Sequence, residues 1–316
     1  MADKKIIAVV GATGAQGGGL VKAILNDPDG GFAVRAITRD PNSAAAQALA
    51  AAGADVVAGD VDDLDSLKAA FAGAYGAYCV TFFWNHFSPE KEQASAQNMA
   101  QAAKAAGLQH VIWSTLEDTR KKVPLGDNRM PTLMGKYKVP HLDAKAEADH
   151  FFTDARVPTT FLLTSFYWDN LIHFGMGPKK DAEGMLQFTL PMGDAPLTGI
   201  AAEDIGACAY GIFKGGQQFI GKYVGIAGDH LTGAEMAASL STAIGQPVHY
   251  NAVTPAAYRG FGFPGAEDLG NMFQYYRDFA DDFMAARPLT GARALNPALQ
   301  SFDAWLATNA KRIPLA

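Results

Sequence analysis

The stretch IIAVVGATGAQG, residues 6–17, decides the fold of this chain. Its first five residues are all apolar, which is typical of a strand buried on both faces. In the glycine-rich turn that follows, the first glycine lets the chain leave the strand sharply, the second lets a pyrophosphate approach the backbone, and the third lets a helix pack closely. We therefore predict a phosphate site on main-chain amides at a helix start. Its residues are Gly11, Ala12, Thr13, Gly14, Ala15, Gln16 and Gly17.

Apolar runs and alanine-rich helical stretches alternate along the first half of the chain. Strands are predicted at 6–10, 32–38, 55–58, within 76–83, at 110–114 and at 159–164, and helices at 17–26, 43–52, 64–72, 89–106 and 145–155. Repeated β-α units predict a doubly wound parallel sheet, the Rossmann fold, with helices on both faces.

The second half of the sequence is less regular. We predict a dinucleotide-binding domain over residues 1–165 and a smaller, interleaved α/β lobe for a substrate or partner over 166–316. Residues 118–140 are charged and contain proline and glycine, so they are interpreted as a long loop and as a candidate switching element.

Composition and charge narrow the range of partners. Hydrophobic residues make up 49% of the 316 residues, and the formal net charge is −6. This balance argues against direct binding to nucleic acid or to an anionic membrane, since both favour a basic surface. No apolar run approaches the ~20 residues of a spanning helix, and the N-terminal stretch is too short for a signal peptide. We expect a cytoplasmic protein without a metal site, in which Cys79 and Cys208 are buried thiols.

The end of the second strand indicates which dinucleotide binds. An NAD site usually has an acidic residue there, about 20 residues beyond the glycine turn. Here Thr38 ends the strand and Arg39 follows. A guanidinium holds a 2′-phosphate through two charge-assisted hydrogen bonds. We therefore predict NADP(H), bound by Arg39 with Asn42 and Ser43 as further donors. The alternative is a solvated arginine partly neutralised by Asp40.

Three further strand ends should belong to the same site, because ligands bind at the carboxyl ends of parallel strands. Their residues are Asp60 and Val61 beside the adenine, Thr81, Phe82 and Phe83 after the fourth strand, and Ser114 and Thr115 after the fifth. Each could instead be an ordinary loop. For Trp84, His86 and Phe87 we favour a role in covering the core over a role as a substrate wall.

Several segments together resemble the NmrA-like family, most closely its HSCARG-type NADPH-sensor proteins. They are GATGAQGG at 11–18, ITRDP at 37–41, the pair Gly59-Asp60, HLDAK at 141–145, FYWDN at 166–170, GFPGAEDLGNMF at 262–273 and LNP at 295–297. The resemblance covers most of the chain and implies an atypical short-chain dehydrogenase/reductase. It adds Lys145, Tyr167, Trp168, Asp169 and Asn170 to the residues expected to line the cofactor.

The proton-donating motif of such reductases is incomplete here. In Tyr-x-x-x-Lys, both side chains share one helix face; the lysine holds the nicotinamide ribose and the tyrosine passes a proton to the substrate. Lys145 is present, but His141 stands four residues before it and Tyr137 is out of register. Imidazole can donate a proton near neutral pH, so Lys145 and His141 are the candidate catalytic residues. The alternative for His141 is a capping or loop role, because Pro140 precedes it.

Two functions are compatible with these residues. The first is an NADP(H)-binding redox sensor that responds to the NADPH/NADP⁺ ratio, acting through a protein partner or as a homodimer. The second is an NADP-dependent oxidoreductase that reduces a quinone or a similar carbonyl. A DNA-binding repressor has little support, because the sequence has no helix-turn-helix pattern or basic stripe.

Overall fold

The computed structural model describes residues 4–315; residues 1–3 and 316 of the two predicted domains lie outside the described part. The strands are β1 (Lys5–Val10), β2 (Phe32–Thr38), β3 (Asp55–Ala58), β4 (Gly76–Cys79), β5 (His110–Thr115), β6 (Thr159–Leu163), β7 (Phe166–Tyr167), β8 (Lys179–Lys180), β9 (Leu186–Leu190), β10 (Leu197–Ile200), β11 (Tyr223–Gly225), β12 (Asp229–Leu231) and β13 (Val248–Ala252). The helices are α1 (Ala15–Leu25), α2 (Ala44–Ala51), α3 (Leu64–Phe71), α4 (Pro89–Ala105), α5 (Pro140–Asp154), α6 (Asn170–His173), α7 (Ala202–Gly215), α8 (Gly233–Ile244), α9 (Pro255–Arg259), α10 (Ala266–Asp278), α11 (Ala280–Ala285), α12 (Leu289–Leu295) and α13 (Phe302–Asn309). Within residues 4–315, no helix combines the length and the apolar character needed to cross a bilayer.

Seven parallel strands form the central sheet, in the order β3-β2-β1-β4-β5-β6-β11. Helices cover both faces, so the predicted doubly wound Rossmann fold is confirmed. The connections change direction between β1 and β4. In open parallel sheets a ligand crevice forms at that point, at the carboxyl ends of the strands.

Two hydrophobic layers flank the sheet. One contains Leu20 and Cys208 from α1 and α7, and the other contains Leu67 and Cys79 on the opposite face. Both cysteines are fully buried, as predicted. Burial raises the pKa of each thiol, which disfavours the reactive thiolate.

Helix α5 begins at Pro140 and not at the predicted residue 145. Proline suits the first helical position because its fixed φ matches the helix and no N–H is required there. The Asp143 carboxylate supports this start by accepting hydrogen bonds from the backbone N–H groups of Lys138 (2.8 Å) and Val139 (3.1 Å). His141 therefore lies inside the helix, one turn before Lys145, and not in a loop.

The second half of the chain returns to the first. Helix α7 packs along α1, and β11 pairs with β6 to extend the central sheet. Residues beyond 165 therefore complete the Rossmann unit. The domain boundary at residue 165 remains a prediction. The two halves of the chain interleave through the packing of α7 on α1 and the pairing of β11 with β6.

Glycines let α1 and α7 approach closely. A Cβ atom on Gly19 would overlap the backbone of Glu203, and one on Gly206 would overlap the backbone of Leu20. Backbone atoms cannot move aside unless the two helices separate. The helix pair therefore depends on the missing side chains at these two positions.

We expect Gly206→Ala to lower the free energy of unfolding by about 1–3 kcal/mol, the usual cost of overpacking. The measurement is urea unfolding followed by circular dichroism. Gly18→Ala is the matched control, since a Cβ there would lie 3.5 Å from the Ala12 carbonyl oxygen, an ordinary contact. Equal stability of the two variants would contradict this account of the helix crossing.

The C-terminal lobe has its own hydrophobic core, two three-stranded sheets and helices α8 to α11 and α13. Residues 118–140 pack against this core through buried Val123 and Met130. The Lys138 ammonium donates to the carbonyls of Asp127 and Met130, both at 2.7 Å, and the Asn271 amide donates to the Lys138 carbonyl at 2.5 Å. Residues 118–140 have little regular structure, as expected for a long loop. Their buried contacts, however, give no support to the prediction that they act as a switching element.

Candidate functional site

The glycine turn presents an anion site at the carboxyl end of β1. Gly11 has a φ of +66°, in the region that favours glycine. A Cβ atom on Gly17 would overlap the Gly11 carbonyl group, so glycine lets α1 start directly above the turn. Within residues 4–315, no side chain caps the N-terminus of α1, and its first turn has no acidic residue. Its N–H groups and positive dipole end therefore suit a phosphate. Thr13, Gly14 and Ala15 are exposed there, whereas Ala12 is buried and can contribute only main-chain atoms.

Arg39 lies exposed immediately after β2, and among the described residues no ion pair or hydrogen bond engages its guanidinium. The neighbouring Asp40 carboxylate accepts the Asn42 N–H at 2.9 Å instead. Arg35 is occupied, since its Nε lies 2.8 Å from an Asp55 carboxylate oxygen. Arg39 is thus the cation at this strand end that remains available for a 2′-phosphate.

The two helper residues predicted beside Arg39 differ in availability. The Ser43 hydroxyl donates to the Asp40 carbonyl at 2.9 Å and accepts the Ala46 N–H at 3.3 Å, which caps α2. Ser43 is therefore already committed to the helix start. Asn42 is exposed and stays a predicted donor.

We expect Arg39→Ala to weaken NADPH binding by about 1–3 kcal/mol, the scale of charge-assisted hydrogen bonds. NADH binding should stay nearly unchanged, because NADH carries no 2′-phosphate. Calorimetric titration of both cofactors into both proteins makes the comparison. Equal losses for NADPH and NADH would defeat the assignment of Arg39.

The end of β3 borders the same crevice. Asp60 and Val61 are half-buried, and the Asn98 amide donates to the Val61 carbonyl at 2.9 Å. The Asp60 carboxylate accepts the Asp62 N–H at 3.0 Å. These bonds define the loop in which adenine binding is predicted.

Gln16 links the glycine turn to two other strand ends. Its side-chain amide donates to the Tyr167 hydroxyl at 2.6 Å, and its carbonyl oxygen accepts the hydroxyls of Ser114 (2.8 Å) and Tyr78. The side chain is therefore occupied, so Gln16 can offer a phosphate only its main-chain N–H. Burial raises the pKa of Tyr167 to about 12, so this phenol remains neutral at physiological pH.

Lys145 forms a buried ion pair that the sequence did not predict. Its Nζ lies 2.9 Å from a carboxylate oxygen of Glu92 and 2.6 Å from the Thr81 hydroxyl. Glu92 is fully buried on α4, and its other oxygen lies 3.5 Å from Nε2 of His86. Burial alone would raise the pKa of Glu92, but the Lys145 charge and hydrogen bonds from its neighbours outweigh burial and lower it to about 2. Glu92 is therefore a fixed anion that holds the lysine in place.

His141 is paired with a residue from the C-terminal lobe. Its Nδ1 lies 2.7 Å from one carboxylate oxygen of Asp268, and the other oxygen accepts the His141 backbone N–H at 3.2 Å. His141 is 6% exposed, and its ring packs against Trp84, with ring centroids 4.8 Å apart. A carboxylate on Nδ1 fixes the ring orientation and leaves Nε2 for proton transfer, the arrangement used by histidine acids and bases.

A cavity of about 810 Å³ opens beside Lys145 and His141. Its walls are rich in aromatic residues, which include Phe82, Phe83, Trp84, Phe87, Phe174, Tyr258, Phe261, Phe263 and Tyr276. Trp84 and Phe87 thus line the cavity, which corrects the prediction that they only cover the core. The size and apolar lining are typical of a pocket for a small organic molecule.

In the segment after β6, some residues line the cavity and others belong to the core. Tyr167 and Asn170 line the cavity, and their contact with the cofactor stays a prediction. Trp168 is 1% exposed and packs on Phe302, with ring centroids 5.3 Å apart, so it does not face the cofactor. The Asp169 carboxylate accepts the Ala202 N–H at 2.8 Å, at the start of α7. The cofactor roles expected for Trp168 and Asp169 are therefore not supported by their positions.

Two functional residues were missed by sequence reasoning. Glu92 lies in the first turn of α4, where an acidic residue is ordinary, so only its burial distinguishes it. Asp268 is in the segment GFPGAEDLGNMF, which carried the resemblance without any assigned role. The only available signal was an acidic residue within that segment.

Comparison with known proteins identifies the family of this chain. The NmrA-like family profile matches residues 3–306. The chain belongs to the NmrA-like family. It is 30% identical over 302 residues to the NmrA-like family domain-containing oxidoreductase FrzB of a Cladobotryum species, covering 90% of this chain and 87% of FrzB.

Two solved structures share the fold. NmrA, a negative transcriptional regulator crystallised in complex with NADP, is 24% identical with a TM-score of 0.76, covering 97% of this chain and 95% of that chain. The NADPH-dependent quinone oxidoreductase QOR2 of Escherichia coli, complexed with NADPH, is 23% identical with a TM-score of 0.69, covering 96% and 98%. At this level of identity the likeness shows the fold alone.

Proposed function

We propose that this NmrA-like protein is an NADP(H)-dependent oxidoreductase that reduces a quinone or a similar flat, apolar carbonyl compound. The observation that carries the proposal is the aromatic cavity at the strand ends, with Lys145 and the His141–Asp268 pair on its wall. The cavity extends from the predicted cofactor residues Gln16 and Lys145 to Phe263, so it offers space for a second molecule next to the cofactor, which a protein that only senses a dinucleotide does not need.

The residues present fit NADP(H). The uncapped start of α1 and the glycine turn suit the pyrophosphate, and the unengaged Arg39 guanidinium suits the 2′-phosphate. The Lys145 ammonium, held by Glu92 and Thr81, lines the cavity, which supports a role in binding ribose hydroxyls. A quinone oxidoreductase among the structural neighbours was crystallised in complex with NADPH, which is consistent with this cofactor.

The reaction consumes one hydride and one proton for each carbonyl or quinone reduced. NADPH, when bound, would supply the hydride, and NADP⁺ would be the second product. His141 supplies the proton from Nε2, while the Asp268 carboxylate holds the ring and stabilises the protonated imidazole. The aromatic walls exclude water and hold the acceptor flat. For a quinone, one hydride and one proton together supply the two electrons and two hydrogen atoms of the hydroquinone, so no further proton is consumed.

The test is a turnover assay with purified protein, NADPH and a panel of quinones, aldehydes and ketones, followed by the loss of nicotinamide absorbance. We expect steady turnover with at least one quinone and saturation in both substrates. Tight NADPH binding without turnover of any compound would overturn the reductase proposal.

The sensor role implied by the resemblance is the alternative that this assay separates. It is favoured by the missing tyrosine of Tyr-x-x-x-Lys and is consistent with the regulator NmrA as a structural neighbour. A sensor must bind the two redox forms with different affinity or in different shapes. Small-angle scattering with NADPH and with NADP⁺ would reveal such a shape change or a homodimer. A protein partner and the cytoplasmic location stay predictions.

A further inference from the structure

One wall of the cavity is the polar face of a small sheet. In β9, Leu186, Phe188 and Leu190 point into the core, whereas Gln187 and Thr189 face the cavity. Strand β9 is the central strand, and it pairs with β8 on one side and with β13 on the other. This alternation is the normal period of a strand. It places polar side chains of three strands together on an otherwise aromatic cavity.

The chemistry of this face comes from residues at neighbouring register positions. Lys179 pairs with Gln187 across β8 and β9, and Asn251 pairs with Thr189 across β13 and β9. The Asn251 amide donates to the Thr189 hydroxyl at 3.1 Å. Lys179, Gln187, Thr189 and Asn251 all line the cavity. We call these four residues the polar wall.

Lys179 gives the polar wall a positive charge that is not paired with a carboxylate. Within residues 4–315, no carboxylate lies within ion-pair distance of its ammonium. The nearby Asp181 carboxylate is satisfied inside the β8–β9 turn, by the Gln187 amide at 2.7 Å and the Met185 N–H at 2.8 Å. Hydrogen bonds thus hold Asp181 in the turn, and Lys179 remains free to pair with a ligand.

We infer that the cavity binds aromatic compounds that carry an acidic substituent, a carboxylate or a sulfonate, and that Lys179 pairs with that substituent. The description of the ligand as an electron acceptor rests on the proposed function, whereas its binding does not. The aromatic walls bury the ring system. The polar wall supplies one cation and the amide and hydroxyl groups of its other members, which suits a single anionic oxygen cluster at the edge of a flat ring.

The binding test uses the full chain saturated with NADP⁺, so that no reduction occurs. The probes are an unsubstituted naphthoquinone and its sulfonated derivative, and the readout is quenching of the fluorescence of Trp84 in the cavity wall. We expect the sulfonate to bind about 10-fold more tightly than the neutral quinone, as for a charge-assisted contact. Lys179→Met should abolish this preference and Lys179→Glu should reverse it.

Lys180→Met is the matched control, because Lys180 is the next residue of β8, is exposed and does not line the cavity. It should keep the full preference for the sulfonate. An unchanged preference in Lys179→Met, an equal loss in Lys180→Met, or no binding of either probe would overturn the inference.

A parallel turnover assay with NADPH separates this inference from the proposed function. A Lys179-dependent binding preference without reduction of either probe would sustain the polar wall and overturn the reductase. Reduction of both probes with equal kcat/KM in the wild type would sustain the reductase and overturn the role of Lys179.

Discussion

Replacing Glu92 with glutamine should lower the free energy of unfolding by about 3 kcal/mol at pH 7, because it leaves the buried ammonium of Lys145 without its counter-charge. The lowered pKa of Glu92 indicates a similar loss in the free energy of unfolding. A carboxyl that titrates near 4.5 when unfolded and at about 2 when folded stabilises the protein by about 3 kcal/mol above pH 4.5. This contribution is lost as the pH falls from 4.5 towards 2.

The pH dependence makes the prediction specific. Urea unfolding at a series of pH values from 7 to 2 should show a steeper loss of stability in the wild type than in Glu92→Gln below pH 4.5. Glu183→Gln is the control, since Glu183 is exposed in the β8–β9 turn and should change stability by less than about 0.5 kcal/mol. Parallel wild-type and Glu92→Gln curves over this range would show that the ion pair does not stabilise the fold.

A double variant tests the pairing itself. Lys145→Met alone leaves the Glu92 carboxylate buried without a cation, so it should also be strongly destabilising. Glu92→Gln combined with Lys145→Met should lose less than the sum of the single losses, because neither charge is then left uncompensated. Additive losses would indicate that the two residues act independently.

Replacing His141 with glycine should lower kcat for quinone reduction about 100-fold. General acid catalysis contributes about 10²–10⁴-fold, and the lower end applies because a quinone accepts hydride readily. The Kd for NADPH, measured by calorimetry, should change little, because the phosphates are predicted to bind at the glycine turn and Arg39 and not at His141. An unchanged kcat would show that solvent, and not His141, supplies the proton.

Chemical rescue distinguishes proton donation from a structural role. His141 lines the cavity, so imidazole added to the medium should restore part of the turnover of His141→Gly. Asp268→Asn keeps the shape but removes the charge that orients the ring, and it should lower kcat about 10-fold without rescue by imidazole. Rescue of Asp268→Asn, or no rescue of His141→Gly, would remove the proposed division of roles.

The glycine turn and the strand ends of the predicted cofactor site could be located from the sequence because they depend on local geometry, whereas the contacts of each residue with the cofactor stay predictions. A buried strand, a glycine turn and a helix start are contiguous in sequence, and the end of the next strand follows from the parallel sheet. The catalytic half was predicted only in part. Lys145 and His141 were found through their spacing, whereas the role of Trp84 was misjudged, because an aromatic residue after a strand looks the same whether it faces a core or a cavity.

The sequence by itself determined the Rossmann sheet, the glycine turn at a helix start and the histidine that stands in place of the tyrosine. These depend on periodicity and on contacts between residues close in the chain. Only the tertiary structure decided that Glu92 holds Lys145, that Asp268 orients His141 and that Trp168 belongs to the core. Each of these depends on which side chains from distant segments share a buried space, because burial sets both the strength of a charge pair and the direction in which a ring can face.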